Sequence, residues 1–99
     1  MIVKRQRGVL TMFEVENNRF FLEEEGKLLA EITWTYPNES TMNVDHTFVD
    51  PSQRGKGLAE KLVLAVIDKA KQENLKIYPT CSYVVSYFDK HSELADLRA

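Results

Sequence analysis

Apolar and polar residues alternate along the first half of the chain and then change period. Leu28, Ala30, Ile32 and Trp34 fall on one side of a two-residue repeat, with Leu29, Glu31, Thr33 and Thr35 on the other, which predicts a half-buried strand over Leu28–Tyr36. Pro37-Asn38-Glu39-Ser40 is expected to break it. Thr41–Val49 is the next strand, with Met42, Val44, His46 and Phe48 on one side and Asn43, Asp45 and Thr47 on the other. Upstream, Leu10–Glu16 and Arg19–Glu23 read as a hairpin turned at Asn17-Asn18. Gly26 supplies the special backbone angle of the following turn, and the glutamates Glu23, Glu24 and Glu25 read as a solvated loop. From about Lys56 to Glu73 the period becomes helical. Ala59, Leu62, Val63, Val66, Ile67 and Ala70 form one stripe opposite Glu60, Lys61, Asp68, Lys69 and Lys71. Asn74 is the expected stop. Leu75–Pro79 reads as a short strand, Tyr83–Lys90 as a second helix capped by Thr80 or Ser82, and Ser92–Arg98 as a last short one.

Short connections make the early strands an antiparallel meander. The strand–helix–strand order from 41 to 79 requires a right-handed crossover and a parallel pair. The expected class is α+β, as a single domain over residues 1–99. A hydrophobic content of 43% over 99 residues suits one packed core. The net charge of −2 gives no pull toward nucleic acid or anionic membrane. Lys4, Arg5 and Arg7 form only a small basic start. No apolar run approaches a membrane span, and no signal peptide is visible. A lone cysteine fits a reducing, cytoplasmic setting.

The chemistry concentrates at Phe48-Val-Asp-Pro-Ser-Gln-Arg-Gly-Lys-Gly-Leu-Ala59, where a strand end enters a basic loop that opens a helix. Gly55 and Gly57 let the backbone turn and a ligand approach the main chain. The first N–H groups of the helix have no partner within it, and with the helix dipole they form an anion site. Arg54 and Lys56 add positive charge. The alternative is a solvated turn with no ligand. Two familiar phosphate loops fail on spacing: a P-loop needs Gly where Pro51 stands and Ser or Thr where Gly57 stands, and a dinucleotide fingerprint needs a small residue where Glu60 stands.

Arg54-Gly55-Lys56-Gly57-Leu58-Ala59 resembles the Arg/Gln-x-x-Gly-x-Gly/Ala signature of the GNAT superfamily of acyl-CoA-dependent N-acetyltransferases. Val49 and Pro51 before it and Leu62 and Val63 after it agree, and the resemblance runs over residues 41–91. It implies a mixed, mostly antiparallel splayed sheet with a crossover helix and a second C-terminal helix. It also implies acetyl-CoA or coenzyme A as the bound cofactor. Gln53, Arg54, Gly55, Lys56, Gly57, Leu58 and Ala59 would hold the pyrophosphate, and Thr47, Phe48 and Val49 would pair with the pantetheine arm. Members of the family place two helices between their first and second strands and two strands after the last helix; neither is evident here. The cofactor half thus reads as complete and the acceptor half as reduced.

Laid on the family's Asn-x-x-Ala-x-x-x-Tyr-x-Lys pattern, Cys81 takes the Asn position, Val84 the Ala, Phe88 the Tyr and Lys90 the Lys, and the resemblance implies that Val84 and Phe88 also contact the cofactor. In many members that Tyr protonates the departing thiolate, and Phe88 has no proton to give. With Pro79, Ser82, Tyr83 and His91, the segment is similar to a subfamily of very small stand-alone GNAT-like proteins. The dipole at a helix N-terminus favours an anion, the setting of reactive cysteines, so Cys81 reads either as an acetyl acceptor or as a small buried apolar group. His46 reads either as a general base for Cys81 or an amine, or as a core residue between Val44 and Phe48. Glu31 and Asp45 are further possible acceptor-site bases, and His91 reads as a helix C-cap. The function read from this is acetyl transfer to an unidentified small-molecule or protein amine, or retention of acetyl-CoA as a sensor or carrier. No nucleic-acid or membrane partner is expected. The expected state is a monomer or weak dimer, with exposed aromatics such as Tyr36 at the contact.

Overall fold

The computed structural model describes residues 13–99, and Lys4, Arg5, Arg7 and the start of the first expected strand lie outside them. Five strands form one sheet in chain order: β1 (Glu14–Val15), β2 (Arg19–Glu24), β3 (Lys27–Asn38), β4 (Thr41–Val49) and β5 (Lys76–Pro79). The first four run antiparallel, and β5 lies parallel to β4. Between β4 and β5 come a short 3-10 turn, Pro51–Gln53, and helix α1 (Leu58–Gln72). Helix α2 (Ser82–Lys90) follows β5. Beyond it, Ser92–Leu94 forms a 3-10 turn rather than a full helix, and the chain end returns to bridge Ile77 with Arg98.

One face of the sheet carries the core. Phe20, Ala30, Ile32, Trp34, Met42, Val44 and Ile77 meet Leu58, Leu62, Val63, Ala65, Val66, Ile67 and Ala70 of α1 and Val84 and Phe88 of α2. Alternation on the strands and the helical stripe therefore converge on one layer, as a half-buried sheet requires. Glu31 and Thr33 point to the other face, which neither α-helix covers.

Three bulges alter faces that strict alternation predicts. Leu29 is the extra residue of β3 opposite β2, and both Leu29 and Ala30 are buried. Pro37 does not end β3; the strand runs through it to Asn38 across a second irregularity opposite β4. Proline has no N–H to give to a ladder, and a bulge is where a strand tolerates it. The third bulge matters most. Thr33 pairs with His46 but Trp34 pairs with Val44, so Asp45 is extra. A one-residue insertion turns every later side chain over. Thr47 and Val49 therefore share the helix side with Met42 and Val44, while His46 and Phe48 face away. The expected grouping of His46 and Phe48 with Val44 is corrected accordingly.

Candidate functional site

The loop between β4 and α1 is built by its own polar groups. The Asp50 carboxylate accepts from the Ser52 N–H at 3.0 Å and from its hydroxyl at 2.5 Å, and Lys27 approaches it at 3.6 Å. The Ser52 bonds, more than Lys27, hold the Asp50 carboxyl below its ordinary range. Gln53 N–H donates to Asp50 O and Arg54 N–H to Pro51 O. The chain then passes through Gly55 at φ +84° and Gly57 at φ +73°, the latter being the N-cap of α1. No side chain caps this helix. The backbone N–H groups of residues 55–60 have no acceptor among the described residues; Lys61 N–H is the first to bond, to Gly57 O. Six main-chain donors in this mostly exposed loop and first helical turn are thus free to meet a ligand, as a helix N-terminus leaves them.

They open onto a cleft of about 390 Å³ lined by Val49, Gln53, Arg54, Gly55, Gly57, Leu58, Ala59, Glu60 and Tyr83. Arg54 is exposed and makes no ion pair among the described residues. Lys56 donates to Gln53 Oε1 at 3.0 Å and stands at the rim rather than in the lining. Donors without acceptors, an uncommitted guanidinium and a helix N-terminus suit a diphosphate. Glu60 is the one carboxylate in this lining, and Tyr87 donates its hydroxyl to Glu60 Oε2 at 3.2 Å. Burial and, second, Glu60 push the tyrosines Tyr83 and Tyr87 above their ordinary value of 10.0.

Beside the cleft the sheet forks. The β4–β5 pairing ends at Val44 and Pro79, where Val44 O accepts from Thr80 and Cys81 N–H at 3.0 and 3.2 Å. Strand β4 runs on to Val49 with only β3 beside it, leaving one edge of residues 45–49 open. Cys81 lies at the fork as the N-cap of α2, half-buried, with Sγ 3.5 Å from Thr47 Oγ1. The cap is thus Cys81 itself, not Thr80 or Ser82.

The structure brings together Thr47 and Cys81 at the fork and seven of the other expected residues in the cleft. It does not bring His46 to Cys81. The Asp45 bulge puts His46 on the opposite sheet face, where Nε2 lies 3.2 Å from Glu31 Oε2. Phe48 shares that face. Val84 and Phe88 are buried at 1% and 4% exposure beneath α2 and do not line the cleft. His91 caps α2 as expected, its N–H donating to Phe88 O, and its ring stacks on Tyr87 at 4.0 Å. Sequence reasoning missed Tyr83 and Glu60. Both are exposed in the first turn of a helix, where the helical period marks only a polar face and carries no sign of a cleft.

The family model of the GCN5-related N-acetyl-transferase matches residues 19–97. Protein NATD1 of Xenopus tropicalis is 34% identical over 58 residues, which is 59% of this chain and 53% of that protein. The chain spans about half the length of such curated relatives. A GCN5-like N-acetyltransferase structure from Staphylococcus aureus superposes with a TM-score of 0.75 at 32% identity, covering 88% of this chain and 86% of that one. N-acetylglutamate synthase from Neisseria gonorrhoeae, solved with coenzyme A and N-acetyl-glutamate, shares the fold at TM-score 0.59 and 20% identity, over 74% of this chain and 18% of its own.

Proposed function

Because the chain belongs to the GCN5-related N-acetyltransferase family, we propose that it is an acetyl-CoA-dependent acetyltransferase whose second substrate is a primary amine. The observation that carries this reading is the set of six partnerless N–H groups at residues 55–60 beside the open edge of β4. The amides, with Arg54, take the diphosphate of acetyl-CoA. Val49, Leu58 and Ala59 supply apolar walls, and Gln53 and Lys56 close the loop's outer side. The free edge at residues 45–49 gives main-chain partners to the amide-bearing arm, as an unpaired strand edge does for any extended chain.

At the fork, Cys81 is the acetyl acceptor of a two-step route. Its sulfur bonds to the acyl carbon, the bond from that carbon to the coenzyme A sulfur breaks, and the thiol proton leaves with the coenzyme A thiol. An amine then takes the acetyl group and gives its proton to a base as the Cys81 thiolate departs, and exchange with solvent restores the thiol. His46 lies on the opposite face of the sheet and serves an amine that enters the open fork from that face, not the thiol. Phe88 stands where many relatives carry a proton-donating Tyr and is buried in the core, which favours a second reading: a module that holds acetyl-CoA with little turnover. We place the protein in a reducing compartment, the cytoplasm, on the single free thiol. No helix among the described residues is long and apolar enough to cross a membrane.

A thermal-shift titration with coenzyme A tests the shared premise, since a ligand of the native state raises Tm. No shift at millimolar coenzyme A refutes both readings. Thiol release across an amine panel separates them: release with at least one amine supports the transferase, and none supports the module.

A further inference from the structure

The face of the sheet away from α1 and α2 carries a cluster of charged and titratable side chains that the cofactor cleft does not use. Glu31, on β3, is mostly buried, with its side chain 16% exposed. Arg19 Nη1 donates to Glu31 Oε1 at 2.9 Å, and Arg19 Nη2 also reaches Glu16 Oε1 at 3.5 Å. The guanidinium is further fixed over the Phe21 ring at 3.9 Å. The other carboxylate oxygen, Oε2, faces His46 Nε2 at 3.2 Å. Asp45, next to His46 in sequence, is occupied by the Thr33 hydroxyl at 2.6 Å and so does not compete. The His46 ring is half-exposed, and its Nδ1 has no partner among the described residues.

The chemistry of the partners fixes the proton. A carboxylate accepts and cannot donate, so the imidazole nitrogen that faces it must carry hydrogen when the ring is neutral. Nδ1 is then the nitrogen with the lone pair, on a half-exposed ring. We propose that Glu31 is a positioning residue: held by Arg19, it locks His46 as the Nε2–H tautomer and leaves Nδ1 as the base that takes a proton from the acceptor amine. This rests on the transferase reading for its substrate and on the geometry alone for its tautomer. In the step, one N–H bond of the attacking amine breaks, the proton goes to Nδ1, and the imidazolium keeps its Nε2–H on Glu31. A partner carboxylate that orients a histidine in this way recurs in triads and metal sites.

Glu31→Gln tests it without changing shape. Arg19 donates and therefore keeps the Gln oxygen at the Oε1 position, turning the amide NH₂ toward His46 Nε2. That nitrogen must then accept, so the tautomer reverses to Nδ1–H and the base is lost. Long-range ¹H–¹⁵N correlation of the imidazole, recorded at alkaline pH on the ligand-free protein, is expected to show Nε2–H in the wild type and Nδ1–H in Glu31→Gln. Glu31→Ala is expected to show a mixture. In the thiol-release assay kcat falls about 10- to 100-fold in Glu31→Gln, with the KM for acetyl-CoA unchanged, and Glu31→Asp recovers part of it. A wild type that is active, with tautomer and kcat unmoved by Glu31→Gln, overturns the proposal and leaves the transferase reading standing. A wild type that binds coenzyme A and acetylates no amine overturns that reading instead, while the spectrum alone still decides whether Glu31 holds the imidazole.

Discussion

Replacing Gly57 by Asn and by Asp separates backbone geometry from charge at the proposed diphosphate site. Gly57 sits at φ +73°, and a Cβ built there meets nothing within 4 Å. Any side chain therefore projects into open space, and the stability effect is the left-handed backbone penalty alone. That penalty is roughly 1 kcal/mol and is smallest for Asn and Asp, which lowers Tm by about 4–8 °C for a domain this size. The two variants share it. Asp adds a negative charge at a helix N-terminus, which stabilises the ligand-free helix slightly, so ligand-free Gly57→Asp is expected to melt no lower than Gly57→Asn. Affinity runs the other way. One unit charge at roughly 6 Å from another contributes about 0.7 kcal/mol in water and about 3 kcal/mol at an effective dielectric near 20. The loop is exposed, so the lower part of that range applies to each diphosphate charge. Gly57→Asp should therefore weaken coenzyme A binding by about 1–3 kcal/mol beyond Gly57→Asn, which is roughly 5- to 150-fold. Calorimetric titration of both variants at low and high salt measures it, and the gap should narrow as salt screens it. Equal dissociation constants for the two variants at low salt would refute the reasoning.

The other predictions concern the lining, the fork and the loop's support. Glu60→Gln removes the only carboxylate in the cleft lining and is expected to tighten coenzyme A several-fold by calorimetry. Tyr83 and Tyr87 are raised in the folded state, so their contribution is fully present below pH 10.0 and is lost as pH rises above it; Tm in Tyr87→Phe should fall less than wild type on the alkaline side. Asp50 is held low, so its contribution is present above its ordinary value of 3.8 and lost as pH falls below it; Asp50→Asn should flatten the acid limb of the Tm profile. Cys81→Ala should abolish the acetyl adduct seen by intact-mass measurement after acetyl-CoA exposure; an adduct retained in that variant rules out the relay through Cys81.

Much of this arrangement is legible in the chain. β4 begins and ends where alternation places it, and α1 buries most of the stripe that its period defines, with Leu58 and Ala65 added. The glycine loop stands between β4 and α1, where the change of period places it. What alternation cannot carry is an insertion. Asp45 is a polar residue in an unbroken apolar–polar repeat, and nothing local marks it as the one residue without a partner. Its bulge is set by the pairing of Trp34 with Val44 below and of Thr33 with His46 above, a contact decided across two strands. That is why alternation alone directs His46 toward Cys81, whereas the folded sheet sets it against Glu31. Pro37 misleads for the opposite reason: it reads as a breaker, but the irregular stretch between Thr35 and Asn38 asks no ladder bond of it. Phe88 illustrates a third limit. Its place in the family pattern is a matter of alignment, whereas its burial follows from the phase of α2 against the sheet.

The proposed function requires that the main-chain amides of residues 55–60 bind the diphosphate of coenzyme A. A ¹H–¹⁵N amide titration with coenzyme A, with 3′-dephospho-coenzyme A and pantetheine as separate arms, tests it most directly. The largest shifts are expected at Gly55, Gly57 and Ala59 with both diphosphate-bearing ligands and to be absent there with pantetheine. Saturable binding whose shifts leave residues 55–60 unmoved would contradict it.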